Sequence, residues 1–190
     1  ERMLKMLARL IGEDIQLEWQ PHAGLRPVKM DPSQVDQILA NLCVNARDAI
    51  AGTGHIRIGT SVVHYDEAYA RLHPGTLAGH FASIYVSDDG CGITPEVRAH
   101  LFEPFFTTKE QGKGTGLGLA TVYGIVNQNE GFLEVESEPG KGSTFRVCVP
   151  FVAASSPARP SPEVVRPKAR SGDETVLVVE DEPMLLGLTS

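Results

Sequence analysis

The sequence predicts a two-layer α/β sandwich of the α+β kind, in which a mixed sheet carries helices on one face. Three observations support this class: one strongly capped helix, several short segments with the alternation of strands, and a hairpin signal near residue 140. Both periodicities place apolar side chains on one side of their element, as a two-layer core requires.

Residues 1–12 form an apolar stripe at helical spacing that ends at Gly12. The stripe consists of Met3, Leu4, Leu7, Leu10 and Ile11. We therefore interpret 1–13 as the end of a helical region. Residues 15–20 alternate like a strand, and a turn at 21–24 precedes a short strand near Val28.

The next segment has the clearest helix signature. Asp31 is a good N-cap, Pro32 suits the first helical position, and Gln34 completes a pattern like a capping box. The apolar face of this helix is predicted to consist of Val35, Leu39, Leu42, Ala46 and Ala49. Gly52 and Gly54 close the helix.

The rest of the domain alternates between strands and helices. We expect strands at 56–63 and 81–86 around a polar loop, helices at 96–101 and 115–129, and a hairpin of 132–137 with 143–149. Residues 153–173 are rich in Ala, Ser and Pro and predict a flexible linker. Residues 174–190 resemble the first strand of another α/β domain. We therefore expect residues 14–152, which precede the linker, to form one separate folded domain.

The composition excludes several function classes. A hydrophobic content of 42% and a charged content of 22% are typical of a globular chain, and a net charge of −7 argues mildly against a nucleic-acid surface. No apolar stretch approaches the roughly 20 residues needed to span a bilayer. Three cysteines without C-x-x-C spacing favour buried free thiols over disulfides or a zinc site. Free thiols favour a reducing compartment, the cytoplasm.

The first chemical motif is NLCVNARDA at 41–49. Asn41, Asn45 and Asp48 follow helical spacing, so one helix face presents all three polar groups. Amide oxygens are hard ligands that suit Mg²⁺ together with waters and substrate phosphates. Taken alone, such a pair of asparagines is better explained as two side chains that face solvent.

The second motif is DDGCGI at 88–93, directly after a predicted strand. The carboxylate of Asp88 would accept a hydrogen bond from an exocyclic amine, which favours adenine over guanine. Gly90 and Gly92 would permit close approach of the backbone to the base. An ordinary Asp-Gly turn explains the same residues when the motif stands alone.

The third motif is GKGTGLGL at 112–119. Its spacing excludes a Walker A loop and a dinucleotide fingerprint. Alternate glycines that lead into a helix present backbone N–H groups to phosphates, and Lys109 and Lys113 would add positive charge. The preceding LFEPFFTTK at 101–109 contains three phenylalanines, which we expect to anchor one end of a mobile lid whose tip is 110–114.

In order and spacing these motifs resemble the N, G1, F and G2 boxes of the GHKL superfamily, and within it the sensor histidine kinases. The resemblance implies a Bergerat-type ATP-binding fold with ATP and Mg²⁺ as cofactors. It implies that Asn45 binds Mg²⁺ with support from Asn41, and that Asp88 anchors adenine with help from the Thr144 hydroxyl. The implied nucleotide-binding set also contains Asp48, Gly90, Gly92, Ile93, Thr108, Lys109, Lys113, Gly114, Thr115, Gly116, Leu117, Gly118 and Leu119.

The implied activity is transfer of the ATP γ-phosphoryl group to a histidine. None of the six histidines has the sequence context of an acceptor, so the resemblance implies a separate helical acceptor domain as partner. Residues 174–190 resemble the start of a receiver domain, with Glu180 and Asp181 as its acidic pair; a solvated acidic turn is the alternative. A kinase domain followed by a linker and a receiver implies a hybrid kinase. The sequence leaves open whether the parent protein is anchored in a membrane.

Two other functions remain open on the sequence. GHKL ATPases use a glutamate base one helical turn before the metal asparagine, where this chain has Asn41. An amide cannot take a proton from water, which disfavours hydrolysis. A module that only senses nucleotide is the second alternative. The chain also departs from many kinases at Glu130-Gly131, where those have two glycines, so we expect a different turn there.

Overall fold

The computed structural model describes residues 2–72, 75–109 and 114–152. The helices are α1 (Arg2–Ile11), α2 (Pro32–Ala49), α3 (Glu67–Leu72), α4 (Pro95–Arg98) and α5 (Gly118–Gln128). The strands are β1 (Ile15–Gln20), β2 (Gly54–Tyr65), β3 (Gly79–Asp88), β4 (Phe132–Glu138) and β5 (Gly142–Pro150). The predicted linker, the predicted receiver segment, and Lys113 with most of the lid tip lie outside the described residues.

The five strands form one mixed sheet in the order β1-β2-β3-β5-β4. β1 pairs parallel with β2, and the other three pairings are antiparallel. The main core joins buried residues of α1, α2 and α5 to one face of this sheet. This confirms the predicted sandwich, with its mixed sheet and its helices on one face.

The start of α2 confirms the N-cap but not the capping box. Asp31 accepts a hydrogen bond of 2.8 Å from the backbone N–H of Ser33, and Pro32 opens the helix. The Gln34 side chain does not turn back to the cap; its Oε1 accepts a bond of 3.0 Å from Asn129 Nδ2, beyond α5. The capping-box prediction was wrong because a tertiary partner lies within reach of this amide.

The apolar face of α2 is broader than the predicted one. Ile38 and Cys43 are buried beside the expected Leu39, Leu42 and Ala46. Val35 and Ala49, which we also expected, are only partly buried. The helix thus packs a wide apolar face on the sheet and keeps a polar face for the site.

The cysteines only partly follow the prediction. All three are free, and Cys43 and Cys148 are buried, but Cys91 is exposed. Burial raises the pKa of the Cys43 thiol to about 12 and that of the Cys148 thiol to about 12, so both stay protonated at neutral pH. Among the described helices, none has the length and apolar character required to cross a membrane.

Several element boundaries differ from the predictions. The polar loop after β2 contains the short helix α3. This helix has no buried residue, so its sequence lacks the apolar period from which a helix could be predicted. α4 ends at Arg98, and α5 begins at Gly118 rather than 115. Gly116 has a φ of 65°, which an α-helix cannot include. The strand near Val28 is a single bridge to Phe151.

The turn between α5 and β4 contains Glu130-Gly131, where many kinases have two glycines. Glu130 has a φ of 56°, the left-handed region in which a side chain is strained. Gly131 follows it, where a Cβ would lie 2.3 Å from the carbonyl oxygen of Cys148. Glycine is therefore required at the second position, while the first tolerates a side chain at a cost of about 1 kcal/mol.

Candidate functional site

A cavity of about 330 Å³ opens between α2, α4 and the segments on either side of the lid tip. Ten predicted site residues line it: Asn41, Asn45, Asp48, Thr108, Lys109, Gly114, Thr115, Gly116, Gly118 and Leu119. Sequence reasoning missed six others: Val44, Arg47, Val97, Leu101, Phe106 and Thr107. The volume is in the range of small-molecule sites, and the missed apolar residues give the cavity a hydrophobic wall.

The polar face of α2 supplies the oxygen atoms of this cavity. Asn41 donates from Nδ2 to the Gln37 carbonyl at 3.0 Å, which fixes the orientation of its amide. Its Oδ1 then points towards Gly118, where a Cβ would lie only 3.2 Å away. A larger residue at the start of α5 would press against Asn41, so α2 and α5 approach closely because this position is glycine.

Lys109 places a positive charge on the same face. Its Nζ lies 2.5 Å from Asp48 Oδ2 and 3.3 Å from Asn45 Oδ1. Burial acts to raise the pKa of Asp48, but bonds and charge from Lys109 and Arg47 outweigh it and hold that pKa below its ordinary value. An amide oxygen and a carboxylate oxygen therefore converge on one cation in this structure.

The segment before the lid tip is anchored through its backbone and two of its phenylalanines. Phe102 stacks on Tyr123 at a ring distance of 5.2 Å, and Phe106 lies 5.4 Å from the His100 ring. Phe105 is 74% exposed and has a φ of 69°, so the prediction that all three phenylalanines anchor the lid was wrong for it. Its backbone N–H donates instead to the Gly116 carbonyl at 2.9 Å.

The N-terminus of α5 faces the cavity. Leu117 is its N-cap residue and makes no side-chain capping bond. Gly118, the first helical residue, lies beside Asn41 and Asn45. The first-turn N–H groups and the positive end of the helix dipole are thus directed at the cavity, an arrangement that suits an anion.

Asp88 lies outside this cavity, in a groove where β3 ends and β5 begins. Asp88 is 9% exposed. Its Oδ1 accepts hydrogen bonds from the N–H of Gly90 at 2.9 Å and from the N–H of Ser143 at 3.3 Å. Burial raises the pKa of Asp88, although the two backbone bonds oppose this effect. Within the described residues both bonds end on Oδ1, so Oδ2 can accept from a ligand.

The glycines after Asp88 pack this segment against its neighbours. A Cβ on Gly90 would lie 2.6 Å from the Ala49 carbonyl oxygen, at the end of α2. Gly92 has a φ of 70°, and a Cβ there would lie 2.1 Å from the Glu138 carbonyl oxygen. Ile93 donates its N–H to Ser137 Oγ at 2.8 Å. The motif is thus clamped between α2 and the β4–β5 hairpin.

The sheet places Thr144 on the face opposite to Asp88. Asp88 pairs with Ser143, and Ser87 pairs with Thr144, so the members of each pair share a face. The Thr144 hydroxyl donates to Ser87 Oγ at 2.9 Å. Ser143 is therefore the hydroxyl residue of β5 that points to the same side as Asp88, next to Ser137 of β4, whereas Thr144 borders the same groove from the other face.

We expect Thr144→Val to keep the nucleotide affinity of the wild type within about threefold, because the lost hydroxyl bond is a half-buried one to Ser87. Titration of AMPPNP with Mg²⁺ by calorimetry measures this. Thr121→Val, which removes a hydroxyl bonded to a helix carbonyl, is the matched control. A loss of tenfold or more in Thr144→Val alone would restore the direct role that the resemblance implied.

A family model decides the identity. Residues 30–153 match the model described as histidine kinase-, DNA gyrase B-, and HSP90-like ATPase, which covers more than half of the chain. The chain belongs to this family. Two relatives narrow its place within the family. Sensor kinase CckA of Brucella abortus is 44% identical over 184 residues, and sensor histidine kinase ZraS of Escherichia coli is 37% identical over 139 residues.

Solved structures of the family agree with this placement. ShkA, solved at full length in complex with AMPPNP, has a TM-score of 0.63 and 27% identity over 83% of this chain and 30% of that chain. The histidine kinase domain of the Escherichia coli osmosensor EnvZ has a TM-score of 0.54 and 30% identity over 84% of this chain and 90% of that chain. Residues 30–153 thus form an ATP-binding catalytic domain of the sensor histidine kinase type.

The matches also define how much of a kinase is present. The CckA match covers 93% of this chain but 19% of the relative, and the ZraS match covers 73% of this chain but 26% of the relative. Within the described part of the chain, no group of three or more His, Cys, Asp and Glu side chains forms a metal site.

Proposed function

We propose that this domain binds Mg-ATP in the cavity beside α2 and donates its γ-phosphoryl group to a histidine on a separate helical domain. The observation that carries this proposal is the convergence of Asn45 and Asp48 with the uncapped start of α5 around one cavity. Hard oxygen atoms lie on one side and the first-turn N–H groups of α5 on the other, as a metal-bound phosphate chain requires.

The metal fits this donor set. Lys109 Nζ lies against Asn45 Oδ1 and Asp48 Oδ2, so this polar face of α2 already accommodates a positive charge. Asn45 would bind Mg²⁺ with support from Asn41, while phosphates and waters complete the shell. When bound, the ion would neutralise the charge that develops on the phosphates.

The base would be held at the groove of Asp88. Oδ2 of this carboxylate would accept from the exocyclic amine of adenine, and Ser143 lies on the same face. Gly90, Gly92 and Ile93 keep the backbone close to that position. The phosphates would extend towards 114–119, where Gly114, Thr115, Gly116, Leu117, Gly118 and Leu119 lead into α5, with Thr108 and Lys109 on the same cavity.

The wider organisation is also a proposal. We assign 1–13 to the end of the acceptor-bearing helical region, 14–152 to the catalytic domain, 153–173 to a linker and 174–190 to the start of a receiver. The CckA match supports this, since it covers 93% of the chain and so extends past the family model. The parent would be a hybrid kinase whose catalytic domain lies in the cytoplasm and whose partners are its acceptor helix and a receiver domain.

Asn45→Ala tests the metal assignment. We expect the affinity for AMPPNP in the presence of Mg²⁺ to fall roughly 10- to 100-fold, because a bond to a charged partner is lost. Affinity in EDTA should change little. Asn127→Ala, on the exposed side of α5, is the matched control. An equal loss with and without Mg²⁺ would contradict a metal-binding role for Asn45.

Radiolabelled ATP separates the proposal from its alternatives. We expect stable label on a histidine of an acceptor domain supplied in trans and none on this chain alone. Phosphate release without an acceptor would favour an ATPase, which the amide of Asn41 disfavours. Tight binding without transfer to any acceptor would favour a nucleotide-sensing module.

A further inference from the structure

Arg47 is a cavity residue to which nothing in the sequence assigned a role. Its Nη1 donates to the carbonyl oxygen of Leu10 at 3.0 Å, although the two residues lie 37 positions apart. Leu10 is in the last turn of α1, where helix carbonyls lack an intrahelical partner. A guanidinium at this position satisfies a carbonyl and complements the negative end of the helix dipole.

The same guanidinium also contacts Asp48 in the candidate site. Its Nε lies 2.8 Å and its Nη2 2.5 Å from Asp48 Oδ1. The other oxygen of Asp48 accepts from Lys109 Nζ at 2.5 Å, and that ammonium reaches Asn45. The Asp48 carboxylate thus connects Arg47, which is bonded to α1, with Lys109, the last described residue before the lid tip.

We infer that Arg47 is a positioning residue that links the last turn of α1 to the nucleotide site through Asp48. The inference rests on the proposed nucleotide site, because bound phosphates and a metal would have to draw Lys109 away from Asp48. Asp48 would then share its charge with Arg47 alone and hold the guanidinium more firmly. The docking of α1 would therefore strengthen when nucleotide binds.

This link has a consequence in both directions. If nucleotide binding strengthens the docking of α1, then docked α1 must strengthen nucleotide binding by the same factor. Arg47 is 37% exposed at its side chain, so each contact is a partly screened one. We expect the coupling to be about two- to fivefold, the range of exposed ion pairs.

Hydrogen exchange of the full chain measures the link directly. We expect the backbone amides of residues 8–12 to exchange about two- to fivefold more slowly when Mg-AMPPNP saturates the wild type. In Arg47→Met the same amides should exchange faster than in the wild type and should not respond to nucleotide. In Asp48→Asn they should keep most of their basal protection, because the bond to Leu10 remains, but lose the response.

A matched control excludes a general effect of losing an arginine. Arg57→Met removes a guanidinium that pairs with Glu18 at 3.3 Å on the sheet face away from the helices, and its α1 response should equal that of the wild type. Each variant is measured at ten times its own dissociation constant from calorimetry. Binding without any change in α1, or a preserved response in Arg47→Met, overturns the link alone. Absence of binding by the wild type overturns the proposed site and the link together.

Discussion

Asp88→Asn is expected to lower the affinity for AMPPNP by roughly 10- to 100-fold, with or without Mg²⁺. The amide keeps one oxygen, which can still accept from the N–H groups of Gly90 and Ser143. The position of Oδ2 becomes an NH₂ group, which opposes the exocyclic amine of adenine donor to donor. A bond to a charged group is lost and an unpaired donor is created, which together account for this magnitude. Calorimetry in EDTA and in Mg²⁺ measures it.

The same substitution should not destabilise the fold at neutral pH. The pKa of Asp88 is raised in the folded state, so protonation favours the folded form. Its contribution to the free energy of unfolding is complete below the unfolded pKa, about 3.9, and is lost as pH rises through the folded pKa. Asp88→Asn should therefore be at least as stable as the wild type at pH 7 and should lose this part of the pH dependence. A marked drop in its melting temperature at pH 7 would contradict the assignment of Asp88 to binding.

Gly92→Ala is expected to lower the free energy of unfolding by about 3 kcal/mol. A left-handed backbone costs a side chain about 1 to 2 kcal/mol, and a methyl group forced into a filled space costs about 1 to 3 kcal/mol. Both terms apply, because φ is 70° and the new Cβ would lie 2.1 Å from the Glu138 carbonyl oxygen. Urea denaturation followed by circular dichroism measures the change.

Gly124→Ala provides the matched comparison for this prediction. Gly124 lies within α5, its φ is not positive, and a Cβ there would meet nothing within 4 Å. Alanine should therefore raise the free energy of unfolding by about 0.5 to 1 kcal/mol. If both variants lose similar stability, the tight contact between the second motif and the hairpin is not what makes glycine necessary at position 92.

Elements with local causes were predictable from the sequence. The N-cap at Asp31, the strand at 15–20 and the β4–β5 hairpin follow from capping, alternation and turn residues, and the structure has them. Most of the cavity residues were also predictable, because helical spacing in α2 and glycine spacing before α5 are properties of one segment at a time.

Features that depend on distant partners were not predictable. The Gln34 side chain accepts a hydrogen bond from Asn129, 95 positions away, so no local pattern could show that it does not cap the helix. The side on which Thr144 points depends on its register with Ser87, and the exposure of Phe105 follows from a left-handed backbone. Arg47 gave no signal because its partner in α1 lies 37 positions before it.

The first strand has a consequence for how the domain can be shortened. The family match begins at residue 30, yet β1 pairs along its full length with β2, and Ile11 and Ile15 are buried in the core. A chain that began at residue 30 would expose the Gly54–Gly59 half of β2, which pairs with β1, so that an open edge with unpaired N–H and C=O groups would extend over the full length of β2. Open edges of this length recruit further strands. Such a chain should self-associate, so the smallest well-behaved unit starts before β1 and not at the boundary that sequence similarity indicates.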